Sequence, residues 1–510
     1  MKKLLYLFIG FLLLSEIALS QYWPQFQHDA ARTGRTTVEV APPYRARWIW
    51  LGENQTLRNQ LSEPGWPDNL TSVNGYSLPF PESVPFTISQ QLQPVIAAGR
   101  LFFGTQDGNA YALSTFDGAT LWSAEMPGPL VVSAAVDDPT VIFSTLNGYI
   151  VGLNVETGQE VWSYNTGYAI TSAPCLHKSR VFVGNHYGVI TALDAQTGVF
   201  VWEKTLTAPV VGGIAADGNS VYVPCEDMNV YALDIFSGAI RAQNRVKGQG
   251  FRITHPVVHN GRLWVTSCMT ALMGSEFIME EVMASSTNIA NEDANVALWL
   301  NGYNNGGAWP NASEDWQHRF ALDTTDMTQP FFLPVGPTEG CGIPPNSFVV
   351  DHAGRVLCWW KTRFPVLTTI GAFGTNYSLD ICAVNQSTGL RQVIDNGKLS
   401  GIVQETDNLY ALASGGKYLW LRQDFRGTQV IDLTTSNSRY VIAPVRNHDG
   451  GYWISDIAYF DWEPYFSNYQ VGHVITSMQT MYGRTAPAIA GNLVFIAENF
   501  CIIAIENSNQ

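Results

Sequence analysis

His255 and His259 flank Pro256, and two imidazoles at that spacing could share a metal or move a proton. Read more plainly, they are isolated polar side chains on an apolar strand. His28-Asp29, inside Tyr-Trp-Pro-Gln-Phe-Gln-His-Asp, is the other acid/base pair. The neighbouring Trp23 and Phe26 favour a segment that packs onto the body of the protein. No Gly-x-Ser-x-Gly, His-Glu-x-x-His, phosphate-binding loop or dinucleotide fingerprint occurs. The seven cysteines (175, 225, 268, 341, 358, 382 and 501) include no adjacent pair, no Cys-x-x-Cys and no Cys-x-x-Cys-His. Covalent haem is therefore not expected. Several of these cysteines fall in apolar runs, as buried, inert thiols do. No catalytic residue and no metal ligand is assigned.

A second chemistry is available to aromatic rings that stand beside amides. Trp299, Tyr303, Trp309 and Trp316 lie among Asn301, Asn304 and Asn305. Trp359 and Trp360 form a pair, and Trp453 and Trp462 belong to a third aromatic group. Flat apolar faces next to amide donors suit sugars or a protein surface. The same rings could equally form small cores within long loops. A short helix is expected at Glu276–Ala284.

The elements that position these residues follow from a repeat. Gly118, Gly158, Gly198 and Gly238 recur at a fixed step, and Trp122, Trp162 and Trp202 each follow a glycine by four residues. Six residues before each glycine stands a small residue: Ala112, Gly152, Ala192 or Ala232. Behind these lie the matching runs Leu101-Phe102-Phe103, Val141-Ile142-Phe143, Val181-Phe182-Val183 and Val221-Tyr222-Val223. Each unit holds four short strand-like runs parted by turn residues. One such unit is too small to bury its own faces, so units must stack side by side around an axis. The tryptophans are the right size to cover the seams between them.

The spacing Ala192-x-Asp194-x-x-x-Gly198-x-x-x-Trp202 resembles the tryptophan-docking motif of the PQQ-like (pyrroloquinoline-quinone-like, quinoprotein-type) β-propeller repeat family. Altered copies lie at Ala112…Trp122 and Gly152…Trp162, and a fourth has Ala242 where Trp is expected. The Gly-His…Trp-Asp signature of WD-repeat propellers is missing. The resemblance implies an all-β fold: an eight-bladed β-propeller of four-stranded antiparallel blades. Its third strands should end at Ala112, Gly152, Ala192, Ala232, Ala321, Ala383, Ile431 and Ala504. The run ending at Ala504-Ile505 has no Trp after it, whereas Arg45–Trp50 is a lone apolar strand. That strand is expected to complete the last blade and close the ring, removing an exposed edge.

A single domain over 21–510 is expected, with long insertions at 51–92, 268–317, 360–377 and 444–484. In an up-and-down blade all four leave from one face, which is then the candidate ligand face. Residues 1–20 read as a signal peptide: Lys2-Lys3, an apolar Leu4–Leu14, and Ala18-Leu19-Ser20 before Gln21. No later apolar run is long enough to span a membrane. The expected location is therefore periplasmic or extracellular. A net charge of −15 disfavours nucleic acid and anionic membranes as partners. A monomer is expected.

Quinoprotein dehydrogenases of the family hold PQQ with Ca²⁺ in the central channel, usually under an adjacent Cys-Cys disulfide. This chain has no such pair and no assignable calcium ligands. The reading is thus an exported, non-catalytic binding or scaffolding propeller without a cofactor, taking a protein or carbohydrate ligand on its insertion-bearing face. The alternative is a PQQ-dependent alcohol or sugar oxidoreductase.

Overall fold

The computed structural model describes residues 22–42, 44–53, 56–58, 86–248, 250–252, 254–268, 318–331, 333, 347–363, 377–395, 409–423, 427–434, 439–442, 486–498 and 501–507. They form eight sheets, antiparallel but for the short strand Arg35–Thr36 added to one of them, the blades of an eight-bladed β-propeller. Blades one to four span 95–125, 135–165, 175–205 and 215–245. Blades five to seven span 257–323, 349–395 and 409–442, and blade eight is built from 488–507 together with Tyr44–Trp50 and Thr56–Arg58. Inner strands of blades one to five touch in succession, blade six touches seven, and blade eight touches blade one.

The 40-residue period has a direct physical cause. In blade three the Asp194 carboxylate accepts the amides of Gln196 and Thr197 and the Thr197 hydroxyl. That cap turns the chain, and Gly198 donates its amide to the Asp194 carbonyl at φ +67°, where a side chain would be strained. The returning strand sets Trp202 opposite Ala192, as Trp122 lies opposite Ala112 and Trp162 opposite Gly152. A small residue is needed there because the indole lies across it. Each indole then reaches the next blade. A Cβ on Gly158 would come within 2.7 Å of Trp122, one on Gly198 within 2.5 Å of Trp162, and one on Gly238 within 2.6 Å of Trp202. Trp122 and Trp202 also donate their indole N–H groups to the carbonyls of Val155 and Ile235, both at 3.0 Å. The three tryptophans are buried.

Blade eight repeats this arrangement with a strand from the other end of the chain. Tyr44–Trp50 pairs with Cys501–Asn507, and Trp48 lies opposite Ala504. A Cβ on Gly118 of blade one would come within 2.6 Å of Trp48, whose indole N–H donates to the Thr115 carbonyl at 3.1 Å. Trp48 meets Phe495 at 5.9 Å between ring centroids, as Phe102 meets Trp122 at 5.9 Å and Phe182 meets Trp202 at 5.8 Å. The expected ring closure is thus realised, and Trp48 is the docking tryptophan of the last blade. Thr56–Arg58 adds a fifth strand outside it, within the stretch expected to be an insertion.

The later blades depart from the repeat in three ways. In blade five Met327 occupies the turn position held elsewhere by glycine, at φ +62° and fully buried, with its amide on the Asp323 carbonyl. It packs in the same cluster as Ala242, the residue that stands where blade four lacks a tryptophan. The bulk missing from one side of this seam is supplied from the other. Blade five has three strands among the described residues. Leu333 and Phe331 pack on its fully buried Trp264 where an outer strand would run. In blade seven the register puts Val430, not Ile431, opposite Trp420, one residue before the expected position.

Candidate functional site

An inner strand in a propeller presents an unpaired backbone edge to the axis. Here residues 22–36 run around that axis and meet the edges blade by blade. Trp23 exchanges two hydrogen bonds with Ile96 of blade one, at 2.9 and 2.8 Å, and the Pro24 carbonyl accepts the Val136 amide of blade two at 2.7 Å. The Gln25 side chain pairs with both the N–H and the C=O of Leu176 in blade three. The carbonyls of Ala30, Ala31, Thr33 and Gly34 accept the amides of Ala216, Val258, Val350 and Ser414 in blades four to seven, at 2.7–2.9 Å. Arg35–Thr36 then pairs in parallel with blade seven. The residues met occupy one level of the ring. Gln27, His28 and Arg32 have φ of +55°, +73° and +59°, as a segment bending this tightly requires.

Arg32 is the anchor. It is fully buried and spends its guanidinium on carbonyls. Nε donates to Ile214 (2.8 Å), Nη1 to Phe26 (2.6 Å) and Nη2 to Pro174 (2.9 Å). Longer bonds reach Gln25 Oε1 and the Ala173 carbonyl. Burial lowers its pKa, and the nearby Asp29 carboxylate works against that. Asp29 caps Thr33 through both amide and hydroxyl. Burial acts to raise the Asp29 pKa, yet His28 and Thr33 hold it below the ordinary carboxylate value. The pair singled out as His28-Asp29 therefore braces the segment. Gln93, also fully buried, accepts the Gln27 amide at 2.7 Å and donates to Ala486 and Pro487, tying blade one, blade eight and the axial segment together.

His255 and His259 are separated by function as well as by sequence. His255 is buried beside Phe26, with its pKa pushed down to about 3, first by burial and then by the charge of Arg32. Its imidazole is neutral. His259 ends the inner strand of blade five and bonds the Gly354 carbonyl of blade six at 3.0 Å, as His177 of blade three bonds Gly218 of blade four. His259 thus joins neighbouring blades. Among the described residues no group of three or more His, Cys, Asp or Glu could hold a metal ion. Cys175, Cys225, Cys358, Cys382 and Cys501 are buried, and burial pushes the Cys225 thiol up to about 12.

The insertion-bearing face is described only in part. Trp299, Tyr303, Trp309, Trp316, Trp453, Trp462 and the helix expected at 276–284 lie outside the described residues, as does the segment 1–21. Trp359 and Trp360 belong to a strand, Val356–Arg363, opposite Ile381 and Asp380, and not to a loop. Blade six continues in regular pairing to Arg363 and Tyr377 because this run is β-prone on both strands. On the same face, at blades two and three, Tyr168 and Tyr187 stack at 4.3 Å and 12° and remain exposed. Sequence reasoning passed over them because they sit in short turns of the regular repeat. Gly118, Gly158, Gly198, Trp122, Trp162 and Trp202 are all at blade seams. No described helix is long and apolar enough to cross a membrane.

Residues 63–212 and 186–276 match the family described as outer membrane protein assembly factor BamB. Comparison with curated proteins gives no match. Among solved structures, quinohemoprotein alcohol dehydrogenase from Comamonas testosteroni shares 11% identity at a TM-score of 0.56, over 98% of this chain and 82% of that one. A europium-containing methanol dehydrogenase shares 11% at 0.53, over 96% and 98%. BamB from Moraxella catarrhalis shares 13% at 0.49, over 82% and 97%. At these identities the likeness is one of fold. With the glycine, the tryptophan and the small residue opposite it all in the places the motif requires, the repeats matched within residues 63–276 are of the PQQ-like β-propeller kind.

Proposed function

We propose that this protein is an exported, non-catalytic propeller that holds a protein partner on its insertion-bearing face. The observation that carries this reading is the lining of the axis by residues 22–36. A flat quinone with a cation at its polar edge needs an open chamber in the channel and acidic or amide oxygens to hold the cation. At the inner-strand level residues 22–36 line the channel edge, and the charge buried there is the cation Arg32. Asp29, the acid of that segment, is already committed to Thr33. These features favour a reading without PQQ and calcium, and no step is derived through that cofactor.

Support for a protein partner comes from where the chain departs from its repeat. The stretches 269–317 and 364–376 join second to third strands, while 396–408 and 443–485 join one blade to the next. In an up-and-down blade both kinds of connection leave from the same face. The opposite face keeps short turns such as Ala98-Gly99, Lys178-Ser179 and Asn260-Gly261. The family that matches residues 63–276 is described as an assembly factor, a role made of protein contacts. A carbohydrate ligand would use the same aromatic face. Export rests on the leader-like residues 1–20.

Two measurements test the reading. Titration with PQQ and Ca²⁺, followed by dye-linked assay with alcohols and sugars, should give neither stoichiometric binding nor turnover; either one would overturn it. Hydrogen exchange with a captured partner should protect the insertion-bearing face, and a footprint on the short-turn face would overturn the placement.

A further inference from the structure

We propose that the central channel is a peptide-binding site selective for an arginine, and that residues 22–36 are its resident ligand. The inference concerns the axis, not the outer face, and does not depend on what the insertions bind.

The segment contacts the ring as added strands and peptides contact sheet edges, through main-chain bonds to strands that are otherwise complete. Seven blades each contribute one inner-strand amide at one level: those of Ile96, Val136, Leu176, Ala216, Val258, Val350 and Ser414. None of these bonds reads a side chain of the segment except that from Leu176, which is met by Gln25. The segment itself has only two residues of regular strand, Arg35–Thr36. Its fully buried large side chains are Trp23 and Arg32, while Phe26, His28, Asp29, Ala30 and Ala31 keep partial exposure. It has the organisation of a bound peptide, with many backbone contacts and a few deep anchors.

Selectivity comes from the Arg32 pocket. Blades three and four supply the Ala173, Pro174 and Ile214 carbonyls, and the segment's own bend supplies Phe26 and Gln25. The guanidinium fork donates from three nitrogens in a plane, which an ammonium cannot reproduce. No carboxylate bonds the cation, so the pocket reads shape and donor number more than charge. Thr37 and Glu39, which follow the segment, are exposed and offer a place where it can be separated from the ring.

The test keeps the whole protein. A specific protease site is placed at Thr37–Glu39, and the folded protein is cut there. The N-terminal piece should stay bound on size exclusion and in native mass spectrometry. It should exchange with a labelled synthetic peptide of residues 22–36 while the ring stays folded. The same peptide with Arg32→Lys should compete at least tenfold more weakly. Failure of the piece to exchange short of global unfolding, or unfolding of the ring on cutting, would show a permanent core element and overturn the proposal. Equal competition by the lysine peptide would overturn the selectivity. If the inserted site prevents folding, hydrogen exchange on the intact chain decides instead. The inner-strand amides of Ile96, Ala216 and Val258 should open with less free energy than the amides of the second strands. Opening only together with those strands would refute it.

Discussion

The seam between blades four and five offers a quantitative test of how the ring is held. Elsewhere a tryptophan from one blade lies on a glycine of the next. Here Ala242 faces Met327, which is fully buried at φ +62° and whose carbonyl accepts Asn244 Nδ2 at 2.6 Å. Met327→Gly removes a buried side chain, a loss of about 2–5 kcal/mol, and relieves a left-handed conformation costing about 1–2 kcal/mol. The net expectation is a destabilisation of about 2 kcal/mol. Ala242→Trp alone forces an indole against Met327 and should cost about 1–3 kcal/mol through overpacking. The double variant recreates the pair formed by Trp202 and Gly238. It should therefore recover wild-type stability, with a favourable coupling of about 3–5 kcal/mol. Urea unfolding of the four proteins, with unchanged m-values, gives the cycle directly. Additive single effects would show that the two residues do not share a seam and would refute the reasoning.

Two further outcomes follow from the same geometry. Trp202→Ala empties a buried site and should cost about 3–5 kcal/mol, and Trp48→Ala should cost a similar amount while loosening the join between blades eight and one; wild-type melting of either would contradict the docking role. Because burial holds the His255 pKa near 3, the unfolded chain binds a proton between about pH 6.5 and 3 that the folded chain refuses. Stability should therefore fall as pH drops through that window, by up to about 1.4 kcal/mol per pH unit from this residue, and His255→Gln should flatten the profile.

The repeat was legible because its geometry rests on residue types with few substitutes. Gly198 must take a positive φ under an indole, Ala192 must be small beneath Trp202, and Asp194 must cap the turn. Arg45–Trp50 could be assigned to blade eight for the same reason: Ala504 lacked a tryptophan, and Trp48 supplied one. Where the seam uses other chemistry, the pattern faded. Nothing in the spacing around Met327 announces that a methionine can replace a tryptophan from across the seam. The long strand through Trp359 and Trp360 read as a loop because the regular repeat would have ended there. The axial path of residues 22–36 was hidden for a deeper reason. Its partners are met through backbone carbonyls, which leave no periodicity in side chains. Only Trp23, Gln25 and Arg32 mark it, and their partners lie as far off as Ile214. Of the candidate ligand face, the sequence gives aromatic content but not the arrangement of the rings.

The closure of the ring sets an order on folding. Tyr44 pairs with Asn507, Gln93 reaches Ala486 and Pro487, and Trp48 packs against Phe495. These contacts join residues separated by about four hundred positions, the most costly kind of loop to close. Blades one to four can form from neighbours in sequence, but blade eight cannot be finished until the residues near 500 have been made and brought round. The strand Tyr44–Trp50 must therefore wait for its partner strand, with Trp48 and Trp50 held only by blade one, at Gly118, Phe103 and Tyr111. During that interval the apolar run Arg45–Trp50 is an open edge, and whatever shields it governs how much of the protein reaches the closed state.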